Sequence, residues 1–334
     1  MNVVVTGCAG FIGHSLTHEL LQQQHRVFGI DSMLANYDIR IKQQRLHRLQ
    51  TFAHFTYYPL DILATKPLSQ CFEKMIRDHG SIDVVFHLAA RAGVRVSMDH
   101  PDSFMQTNTL GTLNILNIYR DHRQMIKKLV LASTSSVYGQ DAQCPVLETA
   151  DTNKPLSPYA ASKKAAELLC YSYHILYDLD VSIVRYFTVY GPWGRPDMCI
   201  FRFMQQMAQG NKIEIYGDGS QQRAFTYIDD IVRGTLSAQK TCGYDIYNLG
   251  SDVPIKLMEV VRHLEQLLDT QAAIVWQRRH STDILATWAN IDKAKQHLHW
   301  SAQIPWTIGL GNTVAWYKEH KDWLQHLHLL NTET

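Results

Sequence analysis

The stretch that most constrains this chain is a short apolar run, Val3-Val4-Val5-Thr6, that breaks into Gly7-Cys8-Ala9-Gly10-Phe11-Ile12-Gly13 and resumes as an amphipathic run from His14 to Gln24. Glycines spaced three apart between a strand and a helix permit a very tight turn. They also leave bare backbone N–H groups at a helix N-terminus, where a diphosphate can approach. The next apolar run, Arg26 to Ile30, ends in Asp31. An acid at that strand end, about 20 residues past the glycines, is placed to bond the hydroxyls of an adenosine ribose. Its charge repels a 2′-phosphate, which favours NAD over NADP. The glycines taken alone need mean no more than a tight βα turn.

The pattern continues as strands alternating with helices. Arg40 to Gln50 reads as a polar helix, and Tyr57 to Ile62 as a strand end where Asp61 and Ile62 can flank an adenine. Asp61 is equally well placed as a strand cap. Asp83 to Ala90 reads as a buried strand of near-continuous apolar character that ends in the small residues Ala89 and Ala90. Phe104 to Tyr119 reads as the next helix, and Lys127 to Ala132 as a strand running into Ser133-Thr134-Ser135-Ser136-Val137-Tyr138-Gly139. Such alternation implies right-handed βαβ units in a doubly wound, Rossmann-type parallel sheet, with ligands beyond the carboxyl ends of its strands. The glycine turn, Ala89-Ala90 and the hydroxyl cluster all fall on that edge. The cluster by itself is also an ordinary hydroxyl-rich turn.

A helix is predicted from Pro158 onward, with Tyr159 and Lys163 four apart on one face. Tyrosine is a poor base at neutral pH, but a nearby ammonium favours the phenolate. The pair can then act as a tuned acid–base group; its bland counterpart is a half-buried ring under a snorkelling lysine stem. Past the strand Val181 to Tyr186 the alternation weakens. Short strands (Lys212 to Tyr216, Asp245 to Leu249, Ala273 to Gln277) mix with helices (Asp229 to Gln239, Lys256 to Leu268, Ile308 to His320). The expected division is a dinucleotide-binding unit over 1–180, rejoined by part of 225–250, and a smaller α/β lobe over 181–330 interleaved with it.

At 334 residues and 46% hydrophobic the chain can bury a large core, and its formal charge of +1 gives no support for a basic nucleic-acid surface. Six scattered cysteines without a CxxC pair fit reduced thiols, hence the cytoplasm, better than a disulfide framework or a zinc site. No signal peptide and no membrane span are read, and no metal is expected.

Thr6-Gly-x-x-Gly-x-x-Gly13, Asp31, Asp61-Ile62, His87-Leu-Ala-Ala90, Thr134, Tyr138-Gly139, Tyr159-x-x-x-Lys163 and Arg223-x-Phe-Thr-Tyr-Ile-Asp-Asp230 occur together. In that combination the chain resembles the extended short-chain dehydrogenases/reductases, in the branch of nucleotide-sugar epimerases and dehydratases. The resemblance implies tightly bound NAD, held by Gly7, Gly10, Phe11, Ile12, Gly13, Asp31, Asp61, Ile62, Leu88, Ala89, Ala90, Asn108, Tyr159 and Lys163. It implies a catalytic group of Thr134, Tyr159 and Lys163, a UDP-sugar substrate and a homodimer formed by helix packing. Arg185-Tyr-Phe-Thr188-Val-Tyr-Gly-Pro192 through Arg195-Pro-Asp-Met198 is most similar to the UDP-glucuronate 4-epimerases, although Arg91 stands where relatives often carry Gln, and Trp193-Gly194 where a more polar pair is expected.

On this reading Tyr159 takes the proton of the sugar 4-hydroxyl, Thr134 positions the same oxygen, and Lys163 lowers the tyrosine pKa. Relatives that dehydrate or decarboxylate a sugar carry an acid just before Val-Tyr-Gly; here Ser135 and Ser136 supply no carboxylate. A uronate oxidised at C4 tends to lose CO₂, so an epimerase must hold its carboxylate. Arg195 is the candidate clamp, with Thr188 and Ser135 donating; its alternative is a surface ion pair with Asp197. Arg223, Arg279 and Asp283 are candidate contacts for the diphosphate and uridine ribose, with His280 able to replace the second arginine. Tyr216 stacks on uracil or is a core aromatic. The other readings weighed are a 4-epimerase of UDP-N-acetylglucosamine or UDP-glucose, a decarboxylase or dehydratase, and a non-catalytic NAD-binding regulator.

Overall fold

The structure is a computed structural model, and it describes residues 1–279 and 284–329. Its frame is a sheet built from β1 (Asn2–Thr6), β2 (Arg26–Ile30), β3 (Phe55–Tyr58), β4 (Val84–His87), β5 (Leu129–Thr134) and β6 (Val181–Tyr186). Seven shorter or later strands follow among the described residues: β7 (Thr188–Tyr190), β8 (Ile213–Tyr216), β9 (Gln222–Arg223), β10 (Phe225–Tyr227), β11 (Tyr244–Leu249), β12 (Ile255–Lys256) and β13 (Ile274–Gln277), with a two-residue β14 (Ala286–Thr287) after them. Seven of these strands form one sheet in the order β11-β6-β5-β4-β1-β2-β3, and every pair in it is parallel.

The sheet is buried on both faces, which is why its strands read as continuous apolar runs rather than alternating ones. Val3, Val5, Phe86, Val130 and Val184 enter one core; Val4, Phe28, Val85, Leu129 and Ile183 enter the other. The strand order reverses beside β1, since β2 lies on one side of it and β4 on the other. That places a crevice at the carboxyl ends of β1 and β4.

The expected helices recur to within a few residues, and three departures bear on packing and the site. An amphipathic helix, Thr65–His79, buries Leu68, Cys71, Phe72 and Met75 where no element was expected. A second, Cys199–Ala208, follows the Arg195 loop. The Phe104 to Tyr119 run is broken: Met105–Leu110 forms a π-helical stretch before the α-helix Gly111–Asp121. Such single turns of π-helix are frequent at functional sites. The smaller sheets (β7 with β10, β8 with β13, and β12-β9-β14) all come after β6 in sequence, with β11 returning to the main sheet among them, and supply the later candidate residues. Among the described residues no helix is long and apolar enough to cross a membrane, and no group of His, Cys, Asp and Glu is arranged to hold a metal.

Candidate active site

The glycine turn is as tight as its sequence requires. A Cβ on Gly13 would lie 2.1 Å from the Gly7 carbonyl oxygen, and one on Gly7, at φ +76°, would lie 2.7 Å from the Ala89 nitrogen. The helix Phe11–Gln22 starts at Gly10 with no side chain capping it, so its first N–H groups are left for a ligand. Asp31 stands at the mouth of this turn. Its carboxylate accepts the N–H of Ala9 at 3.0 Å and that of Met33 at 2.8 Å, which leaves lone pairs for two ribose hydroxyls. Asp61 is exposed and accepts the N–H of Leu63, whereas the Ile62 side chain is buried against Gly111. This cradle fits the adenosine diphosphate half of NAD.

Leu88, Ala89 and Ala90 follow β4, and Thr6 fixes them: its carbonyl accepts Leu88 N–H and its hydroxyl accepts Ala89 N–H. Beneath them His87 is fully buried between Thr6 Oγ1 (2.7 Å) and Thr112 Oγ1 (3.1 Å), and burial drives its pKa down to about 3. Asn108, in the π-helical stretch, is buried. Its amide binds the Arg91 backbone N–H and carbonyl and donates to the Ser162 hydroxyl, so it ties the loop after β4 to the Tyr159 helix.

That helix runs Pro158–Tyr177 and is capped by the Ser157 hydroxyl. The Tyr159 hydroxyl faces Thr134, and its ring stands edge-on to Phe104 at 6.1 Å. Thr134 Oγ1 also lies 3.2 Å from Ser136 Oγ and from the Ser136 N–H. Burial raises the Tyr159 pKa, against the lowering pull of the Thr134 hydroxyl and the Arg195 charge. The lowering expected from Lys163 is therefore not what acts on the ring here. Lys163 is buried and itself held down to about 8 by desolvation, with Glu167 and Cys170 pulling the other way. Behind the site, Glu167 takes a bidentate pair from Arg185 (2.9 and 2.7 Å) and the Ser133 hydroxyl (2.6 Å). Arg185 continues through Tyr138 Oη to Asn248. Sequence reading did not single out this buried network, because its members are 18 to 110 residues apart.

Arg195 reaches the same edge from the loop after β7. Its Nε and Nη2 donate to the Asp197 carboxylate at 3.0 and 2.5 Å, and Nη2 also reaches the Ala92 carbonyl at 3.2 Å. The ion pair named as the alternative thus forms, but half-buried and beside Tyr159 rather than on the open surface. Among the described residues Nη1 bonds nothing. Thr188, Arg195 and Cys199 line one cavity together with Phe11 of the glycine turn. Ser135 and Ser136 form the half-exposed 3-10 turn after β5.

The remaining candidates lie further out. The Arg95 guanidinium covers one face of the Tyr216 ring at 4.0 Å. Arg223 donates to the Gln222, Ile284 and Leu285 carbonyls, and its charge is felt by the half-buried Cys199 thiol. Arg279 is exposed at the end of β13, beside Gly217 and within electrostatic reach of Asp218. Asp283 and His280 lie outside the described residues.

A glycine cradle for a dinucleotide facing a Thr–Tyr–Lys group, on the carboxyl edge of a doubly wound sheet, defines an NAD-dependent sugar-modifying enzyme of the short-chain dehydrogenase/reductase kind. The family model of the NAD dependent epimerase/dehydratase family matches residues 3–250, and this chain belongs to that family. It is 46% identical over 318 residues to the UDP-glucuronate 4-epimerase of Thermodesulfobacterium geofontis, covering 95% of this chain and 96% of the relative. Among solved structures it is similar to the UDP-glucuronic acid 4-epimerase of Bacillus cereus in complex with UDP-glucuronic acid and NAD, with a TM-score of 0.88 at 35% identity, covering 96% of this chain and all of that one (100%). The UDP-glucose 4-epimerase of Thermotoga maritima with UDP-glucose also reaches a TM-score of 0.88, at 27% identity and with coverage of 96% and 100%.

Proposed function

We propose that this chain is an NAD-dependent UDP-glucuronate 4-epimerase, interconverting UDP-glucuronate and UDP-galacturonate through a transient 4-keto sugar. The observation that carries the substrate choice is Arg195: a cation whose charge reaches Tyr159, with one nitrogen, Nη1, unspent among the described residues. A guanidinium edge of this kind suits a carboxylate. Thr188 and Ser135 supply hydroxyl donors near it.

Bound NAD supplies the acceptor and donor of hydride at the sugar C4. The chain does the rest. Tyr159 takes the proton of the 4-hydroxyl and returns one, and Thr134 holds that oxygen in line. Lys163, held down to about 8 by burial, serves the nicotinamide ribose. Arg195 keeps the carboxylate charge localised, so that loss of CO₂ from the β-keto acid is slow. Ser135 and Ser136 offer no carboxylate base at C5, which epimerisation does not need. Arg223, Arg279 and Tyr216 serve the uridine diphosphate, and the later strands form the sugar-nucleotide lobe.

The same reading makes the protein a cytoplasmic homodimer feeding polysaccharide biosynthesis. Its six cysteines form no disulfide. The Tyr159 helix exposes Leu168, Tyr171, Ile175 and Leu176, next to exposed Met105 and Leu110, an apolar face suited to pairing with its copy. Proton NMR of UDP-glucuronate incubated with the purified protein tests the activity. The expected result is a mixture of the two uronates with no pentose. A pentose or 4-keto-pentose product, or no conversion, contradicts it.

A further inference from the structure

Arg45 is among the largest fully buried side chains of the protein, on a helix otherwise read as polar. Among the described residues no carboxylate pairs with it. An isolated buried cation is costly unless every donor is satisfied, and here all five N–H groups are. Nε donates to the Trp193 carbonyl at 3.1 Å, and Nη2 to the Trp193 and Gly194 carbonyls at 2.5 and 3.0 Å. Nη1 donates to the Ala9 carbonyl at 3.1 Å and the Tyr37 hydroxyl at 2.6 Å.

These acceptors are not scattered. Ala9 belongs to the glycine turn. The Gly194 carbonyl is half of the peptide link to Arg195. The Tyr37 ring lies 5.9 Å from the Arg195 guanidinium. Trp193 sits at φ +61°, a conformation that bulky residues adopt only when their surroundings impose it. Two of the five donors bind the carbonyl of that one residue. From its other side the Trp193 ring is packed against His14 at 5.7 Å, Trp316 at 5.3 Å and His320 at 5.4 Å.

We propose that Arg45 is the positioning residue of the uronate site: its guanidinium fork locks the Trp193–Gly194 backbone to the glycine turn and so aims Arg195 at the substrate carboxylate. A lysine cannot replace it, because one ammonium does not span carbonyls on both sides of a planar fork. The inference rests on the UDP-glucuronate reading, and the experiment separates the two.

Wild-type holoenzyme is assayed first with UDP-glucuronate; failure there overturns the substrate reading alone. R45M and R45K, each purified with its NAD, are then compared with wild type. Amide hydrogen exchange over residues 191–198 reads the clamp without any substrate. At least about tenfold faster exchange is expected in R45K, and unchanged exchange overturns the lock. In turnover, KM for UDP-glucuronate is expected to rise about tenfold with a smaller fall in kcat. The share of decarboxylated pentose product should rise, while inhibition by UDP, which has no uronate, stays at the wild-type level. An equal loss of UDP binding, or an unchanged product ratio, makes Arg45 a general packing residue and overturns the proposal. If R45M does not fold, R45K carries the same comparison.

Discussion

Two loops meet at the Arg45 guanidinium, and they are held in opposite ways. The glycine turn, residues 7–13, is held by what it lacks: Gly7 and Gly13 approach backbone so closely that no side chain fits. The Arg195 loop, residues 191–198, is held by what reaches it from far away: the Arg45 fork 148 residues earlier and the aromatic residues of the last helices. A turn built from absent side chains is written locally in the sequence. A loop built from borrowed donors is not.

That contrast can be broken at either end. Gly13→Ala puts a methyl group onto the Gly7 carbonyl, and the expected loss is about 4–5 kcal/mol of stability together with bound NAD. Chemical denaturation and the absorbance of released NAD check it. Tyr159→Phe leaves both loops in place and removes the proton acceptor, so kcat should fall about 10³–10⁴-fold with NAD retained; coupled assay and NAD content decide. Trp193→Ala removes the ring from the His14, Trp316 and His320 cluster at an expected cost of about 3 kcal/mol. NAD should stay bound, because the glycine turn does not depend on that ring; loss of NAD would show that the two loops are one unit.

The smallest effect is in the pH dependence. His14 lies on the first helix, against Trp193, and is buried with both ring nitrogens unpartnered. Burial, with Arg45 and Arg48 nearby, drives its pKa well below 6.5. The unfolded chain therefore binds a proton that the folded chain refuses as pH drops below 6.5, and stability falls with acidification by up to about 1.4 kcal/mol per pH unit. His87, held at about 3, adds a limb of the same sign between 6.5 and 3. His14→Phe should roughly halve the slope, read as denaturation midpoints from pH 7 to 5, and leave the His87 share.

The legibility of the molecule follows the same division. The strands β1, β2, β4 and β6 were readable because a sheet buried on both faces demands continuous apolar runs, and the cradle because glycine, aspartate and their spacing are local. The helix Thr65–His79 was not, since its apolar positions are spread thinly among charges and only packing reveals them. The π-helical turn that carries Asn108 leaves no composition signal. Arg45 looked like one more charge on a polar helix, and only its carbonyl shell shows its use. The expected lowering of Tyr159 by Lys163 was reasoned from spacing on one helix; the ring instead answers to its own burial, Thr134 and Arg195. Thr134 ends β5 at the carboxyl edge, as its local sequence implies, but the Glu167–Arg185–Tyr138–Asn248 chain behind it draws on four separate segments.

The most direct measurement is the product mixture of Arg195→Met on UDP-glucuronate, followed by proton NMR with trapped CO₂. Loss of a charged contact to the carboxylate should lower epimerisation about a hundredfold. The remaining turnover should lean toward decarboxylated pentose. Epimerisation at the wild-type rate, with no CO₂ released, would contradict a carboxylate clamp at Arg195 and leave that residue as the partner of Asp197 alone.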